Sequence, residues 1–98
     1  MPATVRDNPA RHRYELEVEG HVAVAEYRLA AGAITFVHTV VPKELGGKGV
    51  GSSLARGALE DVCRRGLKVV AECPFIKGFI DKHAEFKDLL AKASEQRG

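Results

Sequence analysis

The sequence predicts a single α/β domain, in which a three-strand antiparallel meander carries one further strand added in parallel. Residues 14–41 place apolar side chains at the period of strands, interrupted by two short turn signals. Beyond Pro42 the period becomes that of an amphipathic helix. A β-branched run at residues 67–73 then completes a βαβ unit, whose right-handed crossover makes the last two strands parallel.

Alternation and turn residues define the meander. The predicted strands span residues 14–19, 22–29 and 33–41, and the predicted turns are Gly20-His21 and Ala31-Gly32. In the first strand Tyr14, Leu16 and Val18 alternate with glutamates, which is typical of a half-buried strand. The third strand stops before Pro42, because proline cannot donate to a strand ladder.

Two to three helices complete the predicted fold. The first carries its apolar residues, Cys63 included, on one stripe and ends at Arg64-Arg65-Gly66, where cations meet the negative helix terminus. The strand at residues 67–73 is stopped by Pro74. Further apolar residues at helical spacing follow Pro74, with a break near His83-Ala84.

Length and composition exclude several classes of protein. The 98 residues, 45% hydrophobic and 29% charged, suit one globular domain over residues 1–98. A net charge of +2 is too small to indicate a nucleic-acid binder, and no apolar run suggests a membrane helix. Two cysteines make no disulfide framework, so a reducing, cytoplasmic setting is expected. The four histidines lack metal-ligand spacing, so we expect no metal.

A glycine-rich loop between the third strand and the first helix is the first chemical signal. Its proposed ligand-binding residues are Gly46, Gly47, Lys48, Gly49, Val50, Gly51, Ser52 and Ser53. Glycines let backbone approach a ligand, and the free N–H groups of a first helical turn attract phosphate. The spacing fits neither the P-loop nor the dinucleotide fingerprint. It satisfies the GxxG of a KH loop, which would bind single-stranded RNA, but that loop joins two helices.

Cys73 and His38 are the second signal. Both are predicted near the carboxyl ends of the two parallel strands, so both should face the same opening in the sheet. His38 shares strand parity with Ile34 and Phe36, and an imidazole there could serve as a base. The thiol of Cys73 could act as a nucleophile, or it could be a small buried apolar group.

These residues together resemble the GNAT acetyltransferases, and most closely their minimal single-domain (YjdJ-type) group. The resemblance rests on His38-Thr39, the loop Glu44–Gly51 and Cys73-Pro74-Phe75. It implies that pyrophosphate sits on the glycine loop, that the pantetheine arm of acetyl-CoA pairs with backbone near Val40 and Val41, and that Cys73 is catalytic. Gly46 stands where the larger superfamily usually has Gln or Arg, which removes one contact to the pyrophosphate.

The resemblance implies an acetyl-CoA-dependent N-acetyltransferase, with an amine as the acceptor. The usual GNAT acid and base are missing, since Thr39 and Val41 offer no carboxylate and the last helical segment has no tyrosine. This absence favours Cys73, with His38 as a candidate base. The alternative is an acetyl-CoA or CoA-binding module with little turnover. Partners are expected to be acetyl-CoA and an amine, without nucleic acid or membrane, on a monomer or weak homodimer.

Overall fold

Five strands form one mixed sheet, ordered as they occur in the chain. The structure, a computed structural model, describes residues 4–47 and 49–90. The strands are β1 (Arg6–Asn8), β2 (Arg13–Val18), β3 (His21–Ala30), β4 (Ala33–Val40) and β5 (Lys68–Ala71). The helices are α1 (Val50–Arg64) and α2 (Pro74–Lys82), with short 3-10 helices at Pro9–Arg11, Lys43–Leu45 and Ala84–Leu89. Because β1 to β4 pair antiparallel and β5 pairs parallel to β4, the predicted fold class is confirmed.

Both hairpins of the meander turn through two residues with positive φ. Ala31 and Gly32 have φ values of 45° and 82°, at the predicted position. Glu19 and Gly20 have values of 54° and 80°, so the first turn begins one residue before the predicted Gly20-His21. Two positive φ values in a two-residue turn match the right-handed twist of the flanking strands, which holds the register of both hairpins.

Strand β1 is an edge strand that the sequence does not predict. It has three residues and no apolar alternation, so neither period nor propensity marks it. Side-chain hydrogen bonds attach it to the sheet: the Tyr27 hydroxyl donates to Asp7 over 2.5 Å, and the Asn8 amide donates to Glu15 over 3.0 Å. Just before it, Val5 packs so closely on α1 that Gly57 has no room for a side chain.

The core lies between the helices and one face of the sheet. On α1 the buried residues are Val50, Leu54, Ala55, Ala58, Leu59 and Val62. The prediction for Cys63 is wrong, because the apolar stripe ends at Val62 and Cys63 is exposed. The opposite face of the sheet, which we call the outer face, leaves Val22 and Val40 exposed at 41% and 42%. Within the described ranges, no helix is long and apolar enough to cross a bilayer.

A β-bulge interrupts β4 near its carboxyl end. Tyr27 of β3 faces Phe36, whereas the preceding residue, Glu26, faces His38, so Val37 is one residue extra in β4. Directly paired residues share a face of the sheet, so the bulge reverses the alternation of β4. Phe36 faces the core with Tyr27, His38 lies on the outer face with Glu26, and Thr39 returns to the core face opposite Ala25.

A polar network closes the carboxyl end of α1. The Tyr14 hydroxyl donates to Asp61 over 2.6 Å and accepts from Arg65 over 3.1 Å, and Arg65 also donates to Asp7 over 3.2 Å. Burial and the hydrogen bond to Asp61 raise the pKa of Tyr14 above its usual value. The same hydrogen bond, made to the ionised carboxylate, lowers the pKa of Asp61. The network therefore joins β1, β2 and α1 through polar groups that are mutually satisfied.

Candidate functional site

The glycine loop is held at both ends by buried side chains. Leu45 lies in the core before the loop and Val50 lies in it after the loop, so the glycines between them are fixed at the surface. Gly49 is the N-cap of α1 in the left-handed conformation, with φ 71°. A side chain added at Gly49 would meet nothing within 4 Å, so this glycine serves backbone shape rather than packing. Lys48, predicted to supply an ammonium group, lies outside the described residues.

The first turn of α1 presents backbone N–H groups to the surface. Because Gly49 has no side-chain oxygen, no side-chain hydrogen bond from a described residue caps the helix. The N–H of Ser53 is the first to enter the helix ladder, bonding the Gly49 carbonyl over 3.0 Å. The preceding N–H groups, from Val50 to Ser52, lie at the positive end of the helix dipole. This arrangement suits an anionic ligand.

The two serines after the loop line different surfaces. Ser52 borders a cleft of about 230 Å³ between α1 and α2, whose other lining residues are Pro74, Phe75, Gly78, Phe79, Lys82 and His83. Ser53 lines a separate groove, together with Thr4, Val5 and Arg56. The structure therefore brings Ser52, and not Ser53, together with the cleft.

Gly51 brings the glycine loop and the start of α2 together. A Cβ built on Gly51 would lie 2.9 Å from the Phe75 ring, so the absence of a side chain allows this ring to rest on the first turn of α1. Phe75 remains 42% exposed and forms one wall of the cleft. Since Phe75 follows Cys73 by two residues, the loop and Cys73 lie at the same end of the molecule.

The parallel strands separate at the bulge. Pairing of β4 with β5 runs from Ala33–Lys68 to Phe36–Ala71, and the Phe36 carbonyl then accepts from the N–H groups of both Glu72 and Cys73. Beyond Phe36, β4 continues beside β3 to Val40, whereas the chain after β5 turns into α2. We call the resulting opening the wedge. Val40 is exposed beside it, and Val41 packs partly against the core.

Cys73 lies where the wedge opens. It is the N-cap of α2, its carbonyl accepts from the N–H of Lys77 over 3.0 Å, and Pro74 occupies the first helical position. Its side chain is buried, with the residue only 4% exposed. The Sγ atom lies 3.2 Å from the hydroxyl oxygen of Thr39, within hydrogen-bond distance for sulfur. The thiol therefore lies beside the wedge, in contact with β4.

His38 is not brought together with Cys73. Sequence parity with Ile34 and Phe36 predicts that His38 faces the same opening as Cys73, and this prediction is wrong because the bulge reverses the alternation. The His38 side chain lies on the outer face opposite Glu26, and it is exposed.

Sequence periodicity misplaces two residues of this site. Thr39 is the partner of the Cys73 sulfur, but a bulge cannot be detected from alternation, so parity alone assigns Thr39 to the wrong face. Phe75 fits the apolar period of α2, which predicts burial rather than an exposed ring over the glycine loop. The close spacing of Gly51 and a ring after Pro74 is visible only in three dimensions.

No metal site is formed by the residues that the structure describes. Among them, no three side chains from His, Cys, Asp and Glu come together as metal ligands. The expectation that the protein uses no metal stays a prediction.

Comparisons with known proteins point to one family. The family model described as GCN5-related N-acetyl-transferase matches residues 13–89. Among solved structures, the chain is similar to the NMR solution structure of a GCN5-like protein from Staphylococcus aureus, with 28% identity and a TM-score of 0.68. That similarity covers 89% of this chain and 86% of the other. No curated protein matches the chain.

Proposed function

Because the chain belongs to the GCN5-related N-acetyltransferase family, we propose that it transfers an acetyl group from acetyl-CoA to an amine. The observation that carries this proposal is the wedge. It places the Cys73 thiol beside the part of β4 that β5 has left, at the same end of the molecule as the first turn of α1. The position of the candidate anion site, the wedge and the candidate nucleophile at one end of the molecule supports a long thioester donor.

The proposed donor site runs from the glycine loop into the wedge. The pyrophosphate of acetyl-CoA would accept hydrogen bonds from the first turn of α1, with the backbone of Gly46 to Ser52 around it. The pantetheine arm would lie along Val40 and Val41, where β4 has lost its parallel partner. The nucleotide end would enter the cleft, where the exposed ring of Phe75 offers a stacking surface and Lys82 offers a cation for phosphate.

Cys73 is the proposed carrier of the acetyl group. Its thiolate would attack the thioester carbonyl, forming a bond from Sγ to the acetyl carbon as the bond to the CoA sulfur breaks. The proton lost by Cys73 ends on the CoA thiol. An amine would then attack the acetyl-cysteine, giving an amide, and one amine proton returns to Cys73. The start of α2 favours negative charge on this sulfur.

His38 retains a proposed role, on the acceptor side. Its imidazole lies on the outer face beside the end of the β4–β5 pairing, so it could accept a proton from an amine that approaches from that face.

A binding module with little turnover is the second candidate. The observation that favours it is the open outer face, where Val22 and Val40 remain exposed and no described helix forms a wall. A small amine is normally bound in a concave pocket that buries most of its surface. On this alternative, acetyl-CoA binds without being consumed.

Calorimetry followed by intact mass spectrometry tests the proposal. We expect acetyl-CoA to bind at concentrations up to about 1 mM and to leave an acetyl adduct that Cys73→Ala abolishes. The matched control is Cys63→Ser, which removes the exposed thiol and should keep the adduct. An absence of binding would contradict both candidates, whereas binding without adduct or turnover would leave the binding module. Turnover that persists unchanged in Cys73→Ala would instead indicate direct transfer.

A further inference from the structure

The Cys73 sulfur has one side-chain hydrogen-bond partner among the described residues, and it is a hydroxyl. Thr39 Oγ1 lies 3.2 Å from Sγ, and either atom could be the donor. The contact joins residues 34 positions apart, across the mouth of the wedge. Thr39 is held in place by β3, because its backbone pairs with Ala25 and the residue before it pairs with Glu26.

The bulge in β4 is what creates this contact. If Val37 were paired as an ordinary strand residue, the alternation that buries Ile34 and Phe36 would place His38 on the core face and Thr39 outside. Because Val37 is bulged out of the pairing, the hydroxyl and not the imidazole meets the sulfur. A bulge that costs ladder hydrogen bonds and reorients one side chain toward a reactive group is typical of functional sites.

We propose that Thr39 is a positioning residue for Cys73, an inference that rests on the proposed role of Cys73 as acetyl carrier. While Cys73 is a thiol, the Thr39 oxygen can accept its S–H. Once the proton has left, the sulfur has no hydrogen, so the hydroxyl must be the donor, and a hydrogen bond to a charged acceptor is stronger than one between neutral groups. Thr39 therefore stabilises the sulfur most when it attacks and when it leaves.

In the proposed reaction Thr39 neither gains nor loses a proton. In the first step a bond forms between the Cys73 sulfur and the acetyl carbon, and the bond between that carbon and the CoA sulfur breaks. The proton of Cys73 is transferred to the departing CoA sulfur. In the second step the amine displaces Cys73, whose sulfur takes up a proton from the amine. In both steps the Thr39 hydroxyl turns between accepting from and donating to Sγ, and it holds the sulfur toward the wedge.

Two rates measured on three variants test this inference. The variants are Thr39→Val, Thr39→Ser and Thr35→Val, each made with Cys63→Ser so that only Cys73 reacts. The first rate is alkylation of Cys73 by iodoacetamide, which needs no acetyl-CoA. The second is formation of the acetyl adduct at saturating acetyl-CoA, with the dissociation constant measured separately. Thermal unfolding confirms that each variant is folded.

We expect Thr39→Val to slow both rates about tenfold while leaving the dissociation constant of acetyl-CoA unchanged. Thr39→Ser keeps the hydroxyl and should restore both rates. Thr35→Val removes a hydroxyl from the same strand, at a position paired with Arg28 and Val70 away from Cys73, and is the matched control.

Three results would overturn the inference: full rates in Thr39→Val, equal losses in Thr39→Val and Thr39→Ser, or an equally large loss of both rates in Thr35→Val. Failure of the proposed function has a different signature. Suppose that acetyl-CoA leaves no adduct on any variant, but the alkylation rate is still lower in Thr39→Val than in Thr39→Ser. Cys73 is then not the acetyl carrier, whereas the pairing of Thr39 with its sulfur is supported.

Discussion

The carboxyl end of α1 is joined to β1 and β2 by tyrosine, aspartate and arginine side chains that satisfy one another, whereas its amino end starts from a glycine that no side chain caps. Tyr14, Asp61 and Arg65 form the closed end. At the open end Gly49 turns the backbone through a left-handed conformation, and no described side chain accepts from the first N–H groups.

The two ends of α1 therefore have different roles: one end stabilises the fold, and the other leaves backbone N–H groups available to a ligand. Satisfied polar groups at one end contribute stability and bind nothing further. Uncapped N–H groups at the other end forgo the stabilisation that an N-cap side chain would give, about 1 kcal/mol, and keep their hydrogen-bonding capacity for an anion. If this division is correct, substitutions at the two ends of α1 should affect different measurements.

The largest effect is expected at the closed end, from Tyr14→Phe. The ring, which packs against Tyr27 and Phe36, is kept, while Asp61 loses a donor and Arg65 loses an acceptor. We expect the free energy of unfolding to fall by about 2 kcal/mol at pH 7, measured by urea denaturation. Acetyl-CoA binding, measured by calorimetry, should not change, and a weakening as large as at the open end would contradict the division.

The destabilisation caused by Tyr14→Phe should disappear at acid pH. The pKa of Asp61 is lowered in the folded protein, first by the hydrogen bond from Tyr14. A lowered pKa stabilises the fold above the unfolded value of about 3.9, and this stabilisation disappears as the pH falls through the folded value. The difference between the wild type and Tyr14→Phe should therefore be largest at neutral pH and shrink below about pH 4. A difference that stays constant to pH 2 would show that Asp61 is not the acceptor that matters.

A smaller effect is expected at the open end, from Gly49→Ala compared with Gly32→Ala. Both glycines have positive φ, 71° and 82°, and a Cβ at either would meet nothing within 4 Å. Each substitution should therefore cost about 1 kcal/mol of stability. Only Gly49→Ala places a methyl group beside the first turn of α1, so only this variant should weaken acetyl-CoA binding, by about tenfold. If the two variants bind acetyl-CoA with equal affinity, the pyrophosphate does not bind at the first turn of α1.

Most of the fold could be predicted because its elements have a period. Residues 13–36 and α1 follow the alternation and the helical stripe closely, and Pro42 and Pro74 mark real boundaries. Strand β1 could not be predicted, since three polar residues have no period and are held by side-chain hydrogen bonds from distant positions such as Tyr27. The apolar stripe of α1 does not include Cys63, which directly follows the last buried residue, Val62, and is exposed.

The candidate site was predictable where it depends on local sequence, and not where it depends on register. The glycine loop precedes α1 as the motif indicates, and the structure shows Gly49 there as the N-cap. The face of His38 depends on Val37, an extra residue that fits the strand pattern and leaves no trace in the sequence. Thr39 therefore becomes visible as the neighbour of Cys73 only when β3 and β4 are aligned residue by residue.

The smallest effect is expected at the far edge of the open end, from Lys82→Ala. Lys82 is exposed at the rim of the cleft that Ser52 and Phe75 also line, so it would meet the 3′-phosphate of acetyl-CoA in high dielectric. Such a contact is weak, so the dissociation constant should rise about threefold, and the rise should fade in high salt. The control is Lys87→Ala, which removes an exposed lysine away from the cleft.

Acetyl-dephospho-CoA should bind Lys82→Ala and wild type equally, because it lacks the 3′-phosphate. An equal loss for both donors would mean that Lys82 contacts another part of the molecule, and the open end would then extend no further than Phe75.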